Sequence, residues 1–154
     1  MKKILLILLL LLIAIQFIRP ARNNAESKPN TDITMAYNVP LNVQQIMDKA
    51  CRDCHSDYTN YPWYDKIQPV AWWMDHHVEE GKQELNFSQF ASYSGKKKAH
   101  KLEEIVEQVE QNEMPLNSYT WMHKDAKLTE AEKVDLVNWA KALRQQIIMQ
   151  ERVL

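Results

Sequence analysis

The sequence predicts an all-α fold, and two observations support that prediction. Apolar residues recur at spacings of three and four along the longer segments, which is the period of an α-helix, and no segment alternates apolar and polar residues as a half-buried strand does. The chain has 154 residues and only two glycines. This length predicts one domain with a modest core, placed behind an N-terminal apolar helix.

The N-terminal segment predicts a membrane anchor or a signal helix. Lys2 and Lys3 precede an apolar run that Gln16 alone interrupts before it ends at Ile18. Residues 4–18 would cover roughly 22 Å as a helix, short of the ~30 Å hydrocarbon core of a bilayer. No small-residue cleavage pattern follows, which favours an uncleaved anchor. The two lysines would hold their end in the cytoplasm, so the rest is expected on the periplasmic face of the cytoplasmic membrane.

Three units follow from this reading: the apolar segment 1–18, a polar tether 19–40 rich in Asn and Pro, and a domain at 41–150. The first helix of the domain is expected to begin with Asn42 as its N-cap and Gln45 three residues on. One face of this helix is apolar, with Val43, Ile46, Met47 and Ala50.

The later helices are bounded by recognisable start and stop residues. Pro69 opens a helix predicted to reach about Glu80 and to stop at Gly81, and a loosely structured stretch over about 82–97 follows. A third amphipathic helix is expected from about 98 to 111.

The closing helix has the clearest signal for its start. Thr129 and Glu132 form a capping box. The helix then offers apolar residues for packing, namely Leu136, Val137, Trp139, Ala140, Leu143 and Ile147.

The most specific motif is Cys51-Arg52-Asp53-Cys54-His55, which uses both cysteines of the chain. In c-type haem attachment each thiol adds to one haem vinyl group, and the adjacent histidine ligates the iron. The motif therefore predicts one covalently attached haem c on Cys51 and Cys54, with His55 as the proximal ligand.

Two other readings of the cysteines stay open, a dithiol redox motif and a zinc site. A structural disulfide across two residues would constrain little chain entropy, and a dithiol redox motif would need strand-rich surroundings. A zinc site would need more ligands, which could come from the other four histidines, His76, His77, His100 and His123.

Met114-Pro115 supplies a candidate distal ligand. Proline biases Met114 away from helical geometry at the end of the third predicted helix, and a thioether is a soft ligand suited to haem iron. Methionine is also an ordinary core residue, and His123 is the main rival ligand, followed by His76 and His77. We also expect a carbonyl near Pro62 or Pro69 to accept a hydrogen bond from His55.

Aromatic residues are expected mainly in the core, with some of them against the haem. Those concerned are Tyr61, Trp63, Trp72, Trp73, Tyr119 and Trp121.

The chain resembles the bacterial haem-binding domain family over roughly residues 35–145. The segments that carry the resemblance are Cys-Arg-Asp-Cys-His-Ser, Tyr-Pro-Trp-Tyr, Trp-Trp, Asn-Phe-Ser and Glu-Met-Pro-Leu. The resemblance implies a cytochrome c-like helical domain with one c-type haem on Cys51, Cys54 and His55. Met114 as distal ligand follows by analogy with cytochrome c.

The composition argues against two classes of function. With 19 basic and 20 acidic residues, the chain has no electrostatic basis for nucleic-acid binding, and two glycines argue against phosphate-cradling loops. We expect a membrane-tethered monohaem cytochrome that passes single electrons between redox partner proteins. The alternatives are a haem sensor or peroxidase-like enzyme with an open sixth coordination site, and a non-haem metal or thiol protein.

Overall fold

The computed structural model describes residues 1–152, and this part of the chain is helical without a β-strand. Eight α-helices occur in it: α1 (Lys2–Ile15), α2 (Ile33–Ala36), α3 (Leu41–Ala50), α4 (Arg52–His55), α5 (Val70–Glu84), α6 (Gly95–Glu110), α7 (Asn117–Met122) and α8 (Glu130–Glu151). Three short 3₁₀ turns cover Trp63–Lys66, Phe87–Ser92 and Lys124–Ala126. The prediction of an all-α fold is confirmed.

The core lies where α3, α6 and α8 meet. Helices α6 and α8 make the most extensive contact, and α3 packs against α8. The fully buried side chains include Met47, Leu102 and Leu136, one from each of these helices. Because each helix buries one apolar face against the others, most of the hydrophobic burial comes from this side of the molecule.

The capping box predicted at the start of α8 is present. The side chain of Thr129 accepts a hydrogen bond from the backbone N–H of Glu132, and the Glu132 side chain accepts one from the Thr129 backbone. Helix α6 begins at Gly95, earlier than predicted, because Ser94 caps it by accepting from the backbone N–H of Lys97.

Two predicted helix ends are wrong. Helix α3 begins at Leu41 after Pro40, and the Asn42 side chain donates to Asp135 (2.9 Å) instead of capping the backbone. Helix α5 continues through Gly81 to Glu84, so this glycine does not end the helix. It permits a close approach to the backbone of Cys54, as described below.

The segment predicted to be loosely structured is ordered by packing. Phe87 and Phe90 lie in the 3₁₀ turn Phe87–Ser92, and both are buried. Residues 19–40 are also packed against the domain, although their composition is polar. Ile33 and Asp32 have no exposed surface, and Asn24 pairs with Tyr58 in an isolated β-bridge.

Helix α1 is exposed along its length and buries no residue against the domain. Within residues 1–152, no helix combines the length and apolar character needed to cross a membrane.

Candidate haem site

The cysteine motif sits at a break between two helices. Helix α3 ends at Ala50, Cys51 leaves helical geometry with φ −128° and ψ −45°, and α4 carries the rest of the motif. Cys51 and Cys54 are not joined by a disulfide, and together with His55 they line a cavity of about 500 Å³. A neighbouring cavity of about 370 Å³ shares Cys51 and His55. These volumes fall in the range of sites that hold a cofactor-sized ligand.

His55 is oriented by two backbone carbonyls. Its Nδ1 donates to the carbonyl oxygens of Gly81 (2.8 Å) and Leu85 (3.0 Å), both at the C-terminal end of α5. Burial lowers the pKa of His55, and this effect outweighs the two hydrogen bonds, which raise it. The ring is therefore neutral near pH 7 with Nδ1 protonated, so Nε2 has a free lone pair for a metal. The expectation that a carbonyl near Pro62 or Pro69 holds His55 is wrong.

Gly81 allows this arrangement. A Cβ at Gly81 would lie 2.7 Å from the carbonyl oxygen of Cys54 and 3.0 Å from its Cβ. Any side chain here would push α5 away from the motif, because the facing atoms include backbone that cannot move aside. The glycine thus lets its own carbonyl come within hydrogen-bonding distance of His55.

The two thiols are protonated in this fold. Burial raises the pKa of Cys51 to about 12 and that of Cys54 to about 11. A dithiol redox motif needs at least one low-pKa thiol. This environment therefore disfavours the dithiol reading of the cysteines.

The remaining histidines do not complete a zinc site with the cysteines. His76 and His100 are largely exposed and pair with the glutamates one helical turn on, Glu80 and Glu104. Over residues 1–152, no three side chains among His, Cys, Asp and Glu are grouped so that they could hold a metal ion.

Met114 lies at the same cavities as the cysteine motif. It follows α6, and its backbone N–H donates to the carbonyl of Gln108 (3.1 Å). Its side chain lines both cavities that His55 and Cys51 line. The candidate distal ligand is therefore brought together with the three motif residues, although it lies about sixty residues away in sequence.

The rival ligands are placed less favourably. His123 contacts neither of these two cavities: its Nε2 bonds the hydroxyl of Tyr64 (3.2 Å), and its ring stacks on Tyr119 at 4.2 Å between centroids. His77 lines the larger cavity, but its Nδ1 bonds the carbonyl of Trp73 (2.9 Å) and its ring lies 4.4 Å from the Trp73 ring.

The two residues between the cysteines anchor the motif from opposite sides. Arg52 is buried and donates to both carboxylate oxygens of Asp32 (2.9 and 3.0 Å). Burial raises the pKa of Asp32, but hydrogen bonds from Arg52 and Thr34 outweigh burial, so the pKa lies below its ordinary value. The bidentate pair ties the motif to the polar segment that precedes α2.

On the other side, Asp53 accepts hydrogen bonds from the Tyr119 hydroxyl (2.7 Å) and the backbone N–H of Asn60 (2.9 Å). Burial and the Asp53 carboxylate raise the pKa of Tyr119, so its phenol stays a donor. Sequence reasoning assigned no role to Arg52 or Asp53. Their position between two attachment residues was the available signal, but their partners are remote in sequence.

The expected burial of the aromatic residues is correct only in part. Tyr119 lines the larger cavity, but three tryptophans lie on the surface. The exposed fractions are 73% for Trp63, 50% for Trp73 and 73% for Trp121.

A family model described as a haem-binding domain matches residues 10–142, which is most of the chain. No curated protein and no solved structure matches the chain.

Proposed function

The chain belongs to the haem-binding domain family, and from this premise we propose that it holds one covalently attached c-type haem and transfers single electrons. One observation carries the proposal: His55 is fixed by two carbonyls with Nε2 left free, beside a cavity that both cysteines and Met114 also line. This donor set, two thiols with an imidazole and a thioether, fits a haem c.

In this proposal each side chain has one task. Cys51 and Cys54 would hold the porphyrin edge through thioethers, each formed as an S–H bond adds across one vinyl group. His55 would ligate the iron through Nε2, and Met114 would supply the second protein ligand. When bound, haem supplies reversible one-electron oxidation and reduction.

The surroundings of these ligands favour small structural change during electron transfer. The two carbonyls at the end of α5 make the imidazole more electron-rich and hold its plane. The lining of the smaller cavity includes the apolar residues Leu85, Phe87 and Leu136 beside charged residues such as Lys101 and Glu104. Ligands change little between oxidation states when fixed contacts hold them, as two hydrogen bonds hold His55.

Covalent attachment is tested by producing the full chain in a host with a cytochrome c maturation system. Haem should stay on the polypeptide during denaturing electrophoresis, and the intact mass should include one haem and no free thiol. Cys51→Ser or Cys54→Ser should lower the yield of holoprotein, and the double variant should abolish it. Folded but colourless wild-type protein would overturn the haem proposal.

The same preparation separates an electron carrier from a sensor or peroxidase-like enzyme. An iron with both axial positions filled by protein should be low-spin and should not bind carbon monoxide. Ready carbon monoxide binding by the wild type would favour the alternative with an open sixth site.

The location is part of the proposal. We place the domain on the periplasmic face of the cytoplasmic membrane, anchored by residues 4–18, because attachment of haem c takes place outside the cytoplasm. Fractionation should recover the protein with membranes, with Met1 or Lys2 at its N-terminus. A soluble product beginning near Ala21 would contradict the anchor and leave the haem proposal intact.

A further inference from the structure

Three of the five tryptophans of the chain are exposed, and one region holds them together. Trp63 packs edge-on against Tyr64, with ring centroids 5.7 Å apart. Tyr64, Trp73 and Met122 line one shallow pocket, and Trp121 precedes Met122 in α7. The tryptophan face is defined as Trp63, Ile67, Trp73, Trp121 and Met122, with exposed fractions of 73, 45, 50, 73 and 52%. Exposed apolar groups of this size indicate an interaction surface.

Helix α1 is attached to the domain beside the tryptophan face. Gln16 and Gln68 exchange two hydrogen bonds, from Gln68 N to Gln16 Oε1 (2.9 Å) and from Gln16 Nε2 to Gln68 O (3.2 Å). The Gln68 side chain and the Trp72 indole both donate to the carbonyl of Ile18 (2.7 and 3.1 Å). The exit of α1 is thus fixed to the short segment between Ile67 and Trp73.

Large apolar residues are exposed on both sides of the junction between α1 and the domain. No side chain of α1 is buried, and Phe17 and Ile18 after it are 82% and 60% exposed. The guanidinium of Arg19 donates to the backbone carbonyl of Lys66, so two basic residues lie at the same junction. The chain thus runs from an apolar helix to exposed aromatic residues and then to basic residues. Membrane proteins show the same order of groups from the hydrocarbon core outward to the headgroups.

We infer that the tryptophan face rests in the headgroup layer of the membrane that α1 enters, with a lipid surface as its partner. The inference rests on the proposed anchor. Indole rings are apolar over most of their area and carry one N–H donor, so they partition to this layer. Contact by the tryptophan face also draws the domain against the bilayer, which lets the short α1 and its flanking residues insert as far as their length allows.

The test uses the full-length holoprotein in nanodiscs that contain anionic lipid, at one copy per disc. Hydroxyl-radical footprinting read by peptide mass spectrometry gives an oxidation rate for each residue. Met35 on α2 and Met149 on α8 serve as internal controls, because they are 60% and 65% exposed and oxidise readily. Trp63, Trp73 and Trp121 should lose most of their oxidation while the two methionines keep theirs.

A pair of matched variants sharpens the test. Trp63→Ser with Trp121→Ser changes two largely exposed positions, so the fold should be retained, and protection of Trp73 should decrease several-fold. Met35→Ser with Met149→Ser should leave protection of Trp73 unchanged.

The outcomes separate the two proposals. Disc-bound protein whose three tryptophans oxidise as freely as the control methionines overturns the lipid assignment and leaves the anchor in place. Protein that does not incorporate into discs overturns both. Protection that increases with the number of copies per disc assigns the tryptophan face to a second copy of the chain and overturns the lipid assignment.

Discussion

Gly81→Ala is the most direct test of how the structure orients His55. A methyl group at this position would lie 2.7 Å from the Cys54 carbonyl oxygen, whereas ordinary van der Waals contact begins at 3.4 Å. The backbone of α5 must therefore move away from the motif by the difference of 0.7 Å, or the motif must move by a similar amount. Because the Gly81 carbonyl moves with α5, the bond from His55 Nδ1 lengthens.

Two opposing effects determine how much Gly81→Ala changes the free energy of unfolding. Overpacking of a tight contact costs about 1–3 kcal/mol. Replacing a helical glycine by alanine returns up to about 1 kcal/mol, because alanine has the higher helix propensity. With the full gain deducted, the expected net loss is about 0–2 kcal/mol, which corresponds to a decrease of up to roughly 8 °C in Tm for a domain of this size.

The other glycine of the chain provides the matched control. A Cβ at Gly95 would meet only the end of the Glu151 side chain, which is flexible and can turn away. Gly95→Ala should therefore be neutral or slightly stabilising. Both variants are compared with wild-type holoprotein by thermal unfolding and by potentiometric titration of the haem. Only Gly81→Ala should change the potential, since it weakens the hydrogen bond that makes His55 electron-rich. Equal Tm values and potentials for the two variants would refute this reasoning.

The remaining predictions concern the distal ligand and the buried ion pair. Met114→Ala should open the sixth position, so the variant should bind carbon monoxide, lose the methionine-to-iron charge-transfer band and have a lower potential; Met149→Ala and His123→Ala should keep the wild-type spectrum and potential. The opposite pattern, with His123→Ala alone opening the iron, would reassign the ligand. Asp32→Ala should cost up to about 3–5 kcal/mol in urea unfolding, because the buried guanidinium of Arg52 then keeps only the half-exposed carboxylate of Asp48. Glu103→Ala at a surface pair should cost about 0–1 kcal/mol. The folded pKa of Asp32 lies below the unfolded value of 3.8, so its stabilisation is present above that pH and is lost as the pH falls through the folded pKa. An Asp32→Ala variant that loses as much stability on acidification as the wild type would contradict this assignment.

Local signals in the sequence predicted the parts of the structure that depend on neighbouring residues. The capping box at Thr129 and the helical period of α3, α6 and α8 involve groups within one or two turns, and each is present. Asn42 shows the limit of such reasoning. It is a good N-cap by type, but its side chain bonds Asp135, which is 93 residues away. No local pattern contains that partner.

The sequence predicts candidate haem ligands, but it contains no signal for the groups that hold these residues in place. The spacing of Cys51, Cys54 and His55 points to haem without any structure, but the carbonyls that hold His55 depend on how α5 docks against the motif. A glycine within a helical pattern usually indicates a helix end. Gly81 instead serves a close contact between two backbones, which is a tertiary requirement. The exposure of Trp63 has no local signal either, since a tryptophan is on average highly buried.

The order of the supporting groups along the chain bears on how the protein is assembled. A chain exported from its N-terminus presents Asp32 first, then the two cysteines, then Gly81 and Leu85, and last Met114. The thiols therefore emerge before the helix that encloses them and before the distal side of the cavity exists. If the chain holds haem c as proposed, attachment would take place while the motif is still an open segment, and the later helices would then close around the porphyrin.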